Sequence, residues 1–158
     1  MRIDALVLAD GLHAESDTWI ARIQMAGFAE FAHEACARKK ILEVTHSSMP
    51  TVGYQSTMET ANSLLGANSL PRRTVNATDE IGTQVSAADS GDFHLRRYTG
   101  ESAIDHWRHL YAMHSLLAQV LTTLGRDAIH GGRLEVHPVD RKGCDVILPF
   151  HSQRWGRN

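Results

Sequence analysis

The sequence predicts an α+β fold: a mostly antiparallel sheet packed against one long amphipathic helix at about residues 102–124 and a second helix at about residues 26–40. Three observations support this class. The chain has 158 residues, 42% of them hydrophobic and 22% charged, which is ordinary for one globular domain. Apolar residues recur at helical spacing between residues 102 and 124. Several short apolar runs end at Gly, Pro, Asn or Asp, as strands do. We assign residues 1–150 to one domain and residues 151–158 to a short C-terminal tail.

The first 45 residues contain two predicted strands around a helix. Residues 2–9 are a short apolar run that stops at an Asp-Gly pair, which predicts a strand. Residues 17–25 fit either a helix or a strand, and the pattern leaves both open. The Ala-rich stretch that follows ends in three cations at residues 38–40, which favours a helix because cations stabilise a helix C-terminus. Residues 41–45 predict a second strand.

The stretch 46–92 is rich in Ser, Thr, Asn and Gly and has few large apolar residues. A short helix at residues 57–65 and a hairpin of strands at residues 74–77 and 83–87 are predicted within it. A structureless loop of this length is unusual in a compact domain. We therefore expect either short strands here or a segment that orders only against a partner.

The C-terminal third contains the clearest helix. A strand at residues 93–98 precedes it, and Ser102 with Asp105 predicts a capping box at its start. A hairpin at residues 133–150 is predicted to follow. We expect the apolar stripe of the long helix to be buried against the sheet. Its members are Trp107, Leu110, Tyr111, Leu117, Leu121 and Leu124.

Charge and hydropathy favour a chain that binds neither membranes nor nucleic acid. The net charge is −2, whereas nucleic-acid binders carry a basic excess. No apolar run approaches the roughly 20 residues that span a bilayer, and the N-terminus lacks the features of a secretion signal. These patterns predict a cytoplasmic protein with no membrane partner and no specific nucleic-acid binding. Cys36 and Cys144 lie in no motif and are predicted to be reduced thiols.

Ten histidines raise the question of a metal site. His106, His109 and His114 lie on the long helix, but they lack the i, i+4 pair with an intervening glutamate that zinc-protease helices carry. The chain has no Cys-x-x-Cys pair either. We therefore predict no metal and no cofactor. His106 and His109 are expected to be solvated, and His114 to lie in the core or, alternatively, in a pocket for a small ligand.

The weak catalytic candidates are Asp10, His13 and His114. Asp10 and His13 follow the first predicted strand, with Glu15 and Asp17 close behind, and loops after strands often carry active-site residues. Two acids and a histidine could act as acid and base or bind a divalent cation. A small metal-assisted hydrolase that uses the Asp10/His13 loop is therefore an alternative function, as is a small-ligand binding domain.

The function that the sequence favours is non-enzymatic self-association. No nucleophile elbow, phosphate-binding loop or dinucleotide motif occurs in the chain. The tail places Trp155 between Arg154 and Arg157, and Trp and Arg are enriched at interface hot spots. We predict these three residues and Tyr54 as interface residues, with the stretch 46–92 as a second contact surface. The alternative is that Trp155 folds back on its own domain.

The order of predicted elements resembles that of phage tail-terminator and neck proteins. From about Ala26 onward it is helix, strand, irregular β region, strand, long amphipathic helix and terminal hairpin. This resemblance covers roughly 130 residues in element order only, without a shared motif, and the strand at residues 2–9 departs from it. It implies a homo-oligomer, such as a ring at the head–tail junction of a virion, whose partners are other virion proteins.

Overall fold

The computed structural model describes residues 3–131 of the chain. They form seven strands and four helices, and the chain order alternates strands and helices before it ends in a β-meander and a helix pair. The elements are β1 (Ala5–Ala9), β2 (Ala14–Glu15), α1 (Thr18–Cys36), β3 (Ile41–His46), β4 (Tyr54–Gln55), α2 (Thr57–Ala67), β5 (Arg73–Thr78), β6 (Thr83–Ser90), β7 (Phe93–Tyr98), α3 (Ala103–Tyr111) and α4 (Met113–Gly131).

The main sheet has five strands in the order β1-β3-β7-β6-β5, which confirms the α+β class. Strand β3 is parallel to both β1 and β7, whereas β5, β6 and β7 form an antiparallel meander. The sheet is therefore mixed, with equal numbers of parallel and antiparallel pairings. The parallel pair β1–β3 follows from helix α1, because parallel neighbours need a crossover connection and a helix supplies it.

Helices α1 and α2 cover one face of the sheet and enclose the main hydrophobic core. Leu42 and Val44 of β3 and Phe93 and Leu95 of β7 point to this face and are at most 2% exposed. Leu64 of α2 packs in the same cluster. Helices α3 and α4 lie on the opposite face, where they contact β1 and β3. The described chain is thus a three-layer sandwich with the carboxyl ends of its parallel strands at one edge.

Most of the predicted N-terminal and central elements are present. Residues 17–25, which fitted two structures, belong to helix α1, and Asp17 caps it by accepting hydrogen bonds from the backbone of Trp19 and Ile20. The polar stretch 46–92 is ordered within the domain, where it forms the predicted short helix and the predicted β5–β6 hairpin. Its order therefore comes from the chain's own sheet and core.

The prediction of one long helix at residues 102–124 is wrong in two respects. The helix is broken at Ala112, which ends α3 before α4 begins, although the predicted Ser102–Asp105 capping box is present. The face that packs on the sheet carries His109, Ala112, Leu116 and Val120. Most of the predicted stripe is exposed instead, because the inner face includes the polar His109 and the small Ala112 beside Leu116 and Val120, while the aromatic side chains point outward. Trp107, Leu110, Tyr111, Leu117 and Leu121 are 39–75% exposed.

Two sequence predictions lie outside the described residues. They are the hairpin at residues 133–150 and the interface residues Arg154, Trp155 and Arg157 of the tail. Within residues 3–131, none of the helices is both long enough and apolar enough to cross a bilayer.

Candidate functional site

Polar side chains meet at the carboxyl edge of the parallel strands. Asp10 directly follows β1, and His46 is the last residue of the neighbouring strand β3. In sheets of this kind, ligands bind outside the carboxyl ends of parallel strands, where loops and helix ends converge. Here the convergent elements are the loop after β3, the start of α2, and helix α3.

Asp10 is a buried carboxylate held in an uncommon backbone conformation. It is 1% exposed and has a φ of 50°, a left-handed value that non-glycine residues seldom adopt. Its Oδ1 accepts hydrogen bonds from the backbone N–H of Ser47 at 2.9 Å and from the hydroxyl of Thr57 at 2.5 Å. Burial opposes the charge, but these hydrogen bonds outweigh it and hold the pKa of Asp10 below its ordinary value. The carboxylate is therefore fixed, ionised and oriented.

The second oxygen of Asp10 orients His106. Asp10 Oδ2 lies 3.1 Å from Nδ1 of His106, and the imidazole is 30% exposed at the surface of α3. An ionised carboxylate only accepts, so Nδ1 carries the proton and donates it to Asp10. The neutral ring then has an unprotonated Nε2, which can accept a proton. An Asp–His pair of this type is how enzymes prepare a general base.

His109 is buried between α3 and the sheet, next to the Asp10–His106 pair. It is 1% exposed, its Nδ1 lies 2.8 Å from the hydroxyl of Thr45, and its ring packs edge-on against Tyr98. Burial lowers the pKa of His109, and the smaller effect of the Asp10 charge acts in the opposite direction. A neutral, buried imidazole at this position packs α3 against β3 and β7 and so holds His106 over Asp10.

His46 joins the site to two arginines. Its Nδ1 lies 2.8 Å from the carbonyl oxygen of Ser47 and therefore donates, while its Nε2 lies 3.2 Å from Nη2 of Arg72 and therefore accepts. The contact with Arg72 requires the neutral ring, because a protonated Nε2 could not accept from the guanidinium. Burial lowers the pKa of His46 to about 4, and the charges of Arg72 and Arg97 also disfavour protonation. His46 is thus a fixed acceptor that aims the Arg72 side chain.

The structure separates the three residues that the sequence nominated as catalytic. Asp10 is in the site, but its partner is His106 rather than His13. His13 is exposed, bonds the carbonyl of Gln55 and packs against Tyr54. Tyr54, a predicted interface residue, is 45% exposed on β4.

The three helical histidines are placed differently from the prediction. His114 was expected in the core or in a ligand pocket, but its side chain is 75% exposed and bonds Tyr111 and Ser115 on the surface. His109 was expected to be solvated and is buried, because the inner face of α3 is the one that carries it. His106 is only partly exposed. His109 lies on the buried stripe that continues through Ala112, Leu116 and Val120 at helical spacing, whereas His114 lies off that stripe.

Two of the site's main residues were missed from the sequence. His46 could have been noticed as a polar residue that ends a buried strand, at the same sheet edge as Asp10. His106 could not be paired with Asp10 from sequence spacing, because 96 residues separate them. Only the packing of α3 on the sheet brings them together.

The described residues offer no ready metal site. Among residues 3–131, no group of three or more His, Cys, Asp or Glu side chains converges as metal ligands do. The Asp10 oxygens are already committed to Ser47, Thr57 and His106.

No protein-family model, curated protein or solved structure matches this chain.

Proposed function

We propose that this protein is a small hydrolase or related acid–base enzyme in which His106 is the general base and Asp10 is its positioning residue. The observation that carries the proposal is the Asp10–His106 hydrogen bond of 3.1 Å at the carboxyl edge of the parallel strands. Buried carboxylates normally face partners that neutralise them or satisfy their lone pairs. Asp10 meets this requirement with a partly exposed imidazole, and its φ of 50° lies in the left-handed region.

The chemistry follows from the orientation of the ring. Nε2 of His106 removes a proton from a water molecule as that water attacks a carbonyl or phosphoryl centre. The imidazolium then returns the proton to the leaving group, while Asp10 stays ionised and stabilises the transient charge. The lowered pKa of Asp10 suits this role, because the carboxylate must not take the proton itself.

A panel of p-nitrophenyl acetate and p-nitrophenyl phosphate tests the proposal between pH 5 and pH 9. General base catalysis contributes about 100-fold or more, so we expect His106→Gln to lower kcat/KM by that factor. His114→Gln is the matched control, because it makes the same change at a surface histidine of the adjoining helix. Equal rates for the wild type and His106→Gln on every hydrolysed substrate would exclude His106 as the base.

Self-association is a second candidate function, and the exposed apolar residues of α3 and α4 favour it. Ile104, Trp107 and Tyr111 recur at helical spacing on the outer face of α3 and are 54–75% exposed. Leu117 and Leu121 extend the apolar surface along α4. Contiguous exposed apolar surface commonly marks an interaction site. We take a second copy of this chain as the occupant, because one helical stripe can pair with itself across a two-fold axis. The resemblance in element order to phage tail-terminator and neck proteins would extend such self-association to a ring within a virion.

Light scattering over a concentration series tests self-association. The variant Trp107→Ser with Tyr111→Ser should shift the mass towards the monomer, whereas Trp19→Ser is the control because Trp19 is 71% exposed on α1. A chain without residues 132–158 separates two explanations of the exposed stripe. If the full chain is monomeric and only the truncated chain associates, then the C-terminal segment covers the stripe and self-association is not the function.

A further inference from the structure

Arg72 and Arg97 form a second cluster at the same sheet edge, on the face covered by α2. Arg97 of β7 is the register partner of His46 on β3, and on its other side it pairs with Ser86 of β6. Neighbouring strands place such partners about 5 Å apart at Cβ. His46, Arg97 and Ser86 therefore stand in one row across three strands.

Arg72, which directly precedes β5, reaches over this row. Its guanidinium donates to Ser86 Oγ at 3.3 Å and to Asn62 Oδ1 at 2.9 Å, and it contacts His46 Nε2 at 3.2 Å. Arg97 donates to Ser48 Oγ through Nε at 3.3 Å and Nη2 at 3.1 Å. All of these acceptors are neutral, so they orient the two cations without balancing their charge.

The missing counter-charge is the unusual feature of the cluster. Among residues 3–131, neither Arg72 nor Arg97 has a carboxylate within ion-pair distance, although Arg38, Arg73, Arg96 and Arg108 each do. Both arginines are partly buried. Burial lowers the pKa of Arg72, and the nearby charge of Arg97 acts in the same direction. Two partly buried cations held side by side are unfavourable unless an anion lies between them.

We propose that Arg72 and Arg97 bind an oxyanion, a phosphate or carboxylate group, which is the recognition handle of the substrate. The planar guanidinium fork matches both groups, and pre-oriented donors lose little entropy on binding them. That the anion belongs to the substrate rests on the proposed function, whereas anion binding itself does not. Ser47 and His46 link the two clusters, because Ser47 bonds Asp10 while His46 contacts Arg72.

Titration of the full chain with inorganic phosphate, and separately with sodium acetate, followed by calorimetry tests the binding site. The variants are Arg72→Gln and Arg97→Gln. The control is Arg73→Gln, which removes the same charge at the neighbouring position. The guanidinium of Arg73 already pairs with Asp89. We expect each site variant to weaken binding about tenfold or more and the control to stay within about twofold of the wild type. Tighter binding of phosphate than acetate indicates a phosphorylated ligand, and the reverse indicates a carboxylate.

Two results would overturn the proposal. One is that neither anion binds to folded wild-type protein at millimolar concentration. The other is that Arg73→Gln weakens binding as much as the site variants do, which would indicate a general effect of charge. Circular dichroism shows whether Arg72→Gln still folds. If Arg72→Gln does not fold, Arg97→Gln tests the site instead, because the only described side-chain hydrogen-bond partner of Arg97 is Ser48. His106→Gln should bind the anion normally. Failure of the wild type to bind either anion thus refutes this site, whereas anion binding by the wild type together with an unchanged rate in His106→Gln refutes only the proposed function.

Discussion

Two buried titratable groups on strand β3 should give the stability of this protein opposing dependences on pH. Glu43 is 3% exposed, its Oε1 has no hydrogen bond, and its nearest cation is Arg96 at 3.8 Å. Burial raises the pKa of Glu43 from 4.5 to about 7, against the weaker opposing effect of Arg96. Burial lowers the pKa of His46 from 6.5 to about 4.

The direction in which each group changes the free energy of unfolding with pH follows from which state of the chain binds the proton. Between pH 4.5 and about pH 7, Glu43 holds a proton in the folded chain but not in the unfolded chain, so its contribution to the free energy of unfolding is lost as pH rises. Between about pH 4 and pH 6.5, the unfolded chain protonates His46 and the folded chain does not, so this contribution grows as pH rises. Each shift corresponds to about 3 kcal/mol over its window. The two contributions therefore largely cancel in the wild type.

Single substitutions should reveal the cancelled contributions. Relative to the wild type, Glu43→Gln should gain about 3 kcal/mol in free energy of unfolding as pH rises from 4.5 to 7. Relative to the wild type, His46→Asn should lose a similar amount between pH 4 and pH 6.5. Urea unfolding at half-unit pH intervals measures both slopes, and the double variant is the control because it should restore the wild-type slope. Parallel curves for all four proteins would refute the assigned burial of these two groups.

Three further substitutions test the fold. Leu116→Ala should cost about 2–5 kcal/mol because Leu116 lies on the inner face of α4 and is 4% exposed. Leu117→Ala should cost less than about 1 kcal/mol because Leu117 is 46% exposed, and equal losses in urea unfolding would contradict the observed helix face. Gly91→Ala should destabilise the fold by about 1–3 kcal/mol or more, because Gly91 has a φ of 58° and an added Cβ would overlap the Cys36 carbonyl. An unchanged thermal midpoint would be inconsistent with that packing. Ser102→Ala should cost about 1 kcal/mol through loss of the α3 capping box, as thermal unfolding would show, and no change would mean that the cap is not formed.

The sequence predicted elements better than it predicted faces. The capping box, the strands and the β5–β6 hairpin have local signals, since turn residues and caps act within a few positions. The face on which α3 and α4 pack against the sheet had no such local signal. Hydrophobic periodicity selects the bulkiest residues, whereas here the inner face includes His109 and Ala112. The parallel pairing of β1 with β3 depends on the crossover through α1, which could not be recognised while residues 17–25 fitted either state.

The candidate site was only partly predictable for a related reason. Asp10 was nominated from its place after a strand, and the structure puts it at the centre of the site. Its neighbours Thr57 and His106 are 47 and 96 residues away in the chain. Contacts at such separations depend on how layers stack on the sheet, and nothing in local spacing encodes them. The paired arginines are equally non-local, because register across β6, β7 and β3 aligns Arg97 with His46 and Ser86.

The protonation state of His106 tests the central proposal without any knowledge of the substrate. Long-range ¹H–¹⁵N NMR correlation spectra show which ring nitrogen carries the proton in a neutral imidazole. Because Asp10 accepts from Nδ1, we predict the Nδ1–H form for His106 in the wild type. In Asp10→Asn we predict a shift to the Nε2–H form, since the amide can donate to Nδ1. An Nε2–H tautomer of His106 in the wild type would leave no free base at the surface and would contradict the proposed role of the Asp10–His106 pair.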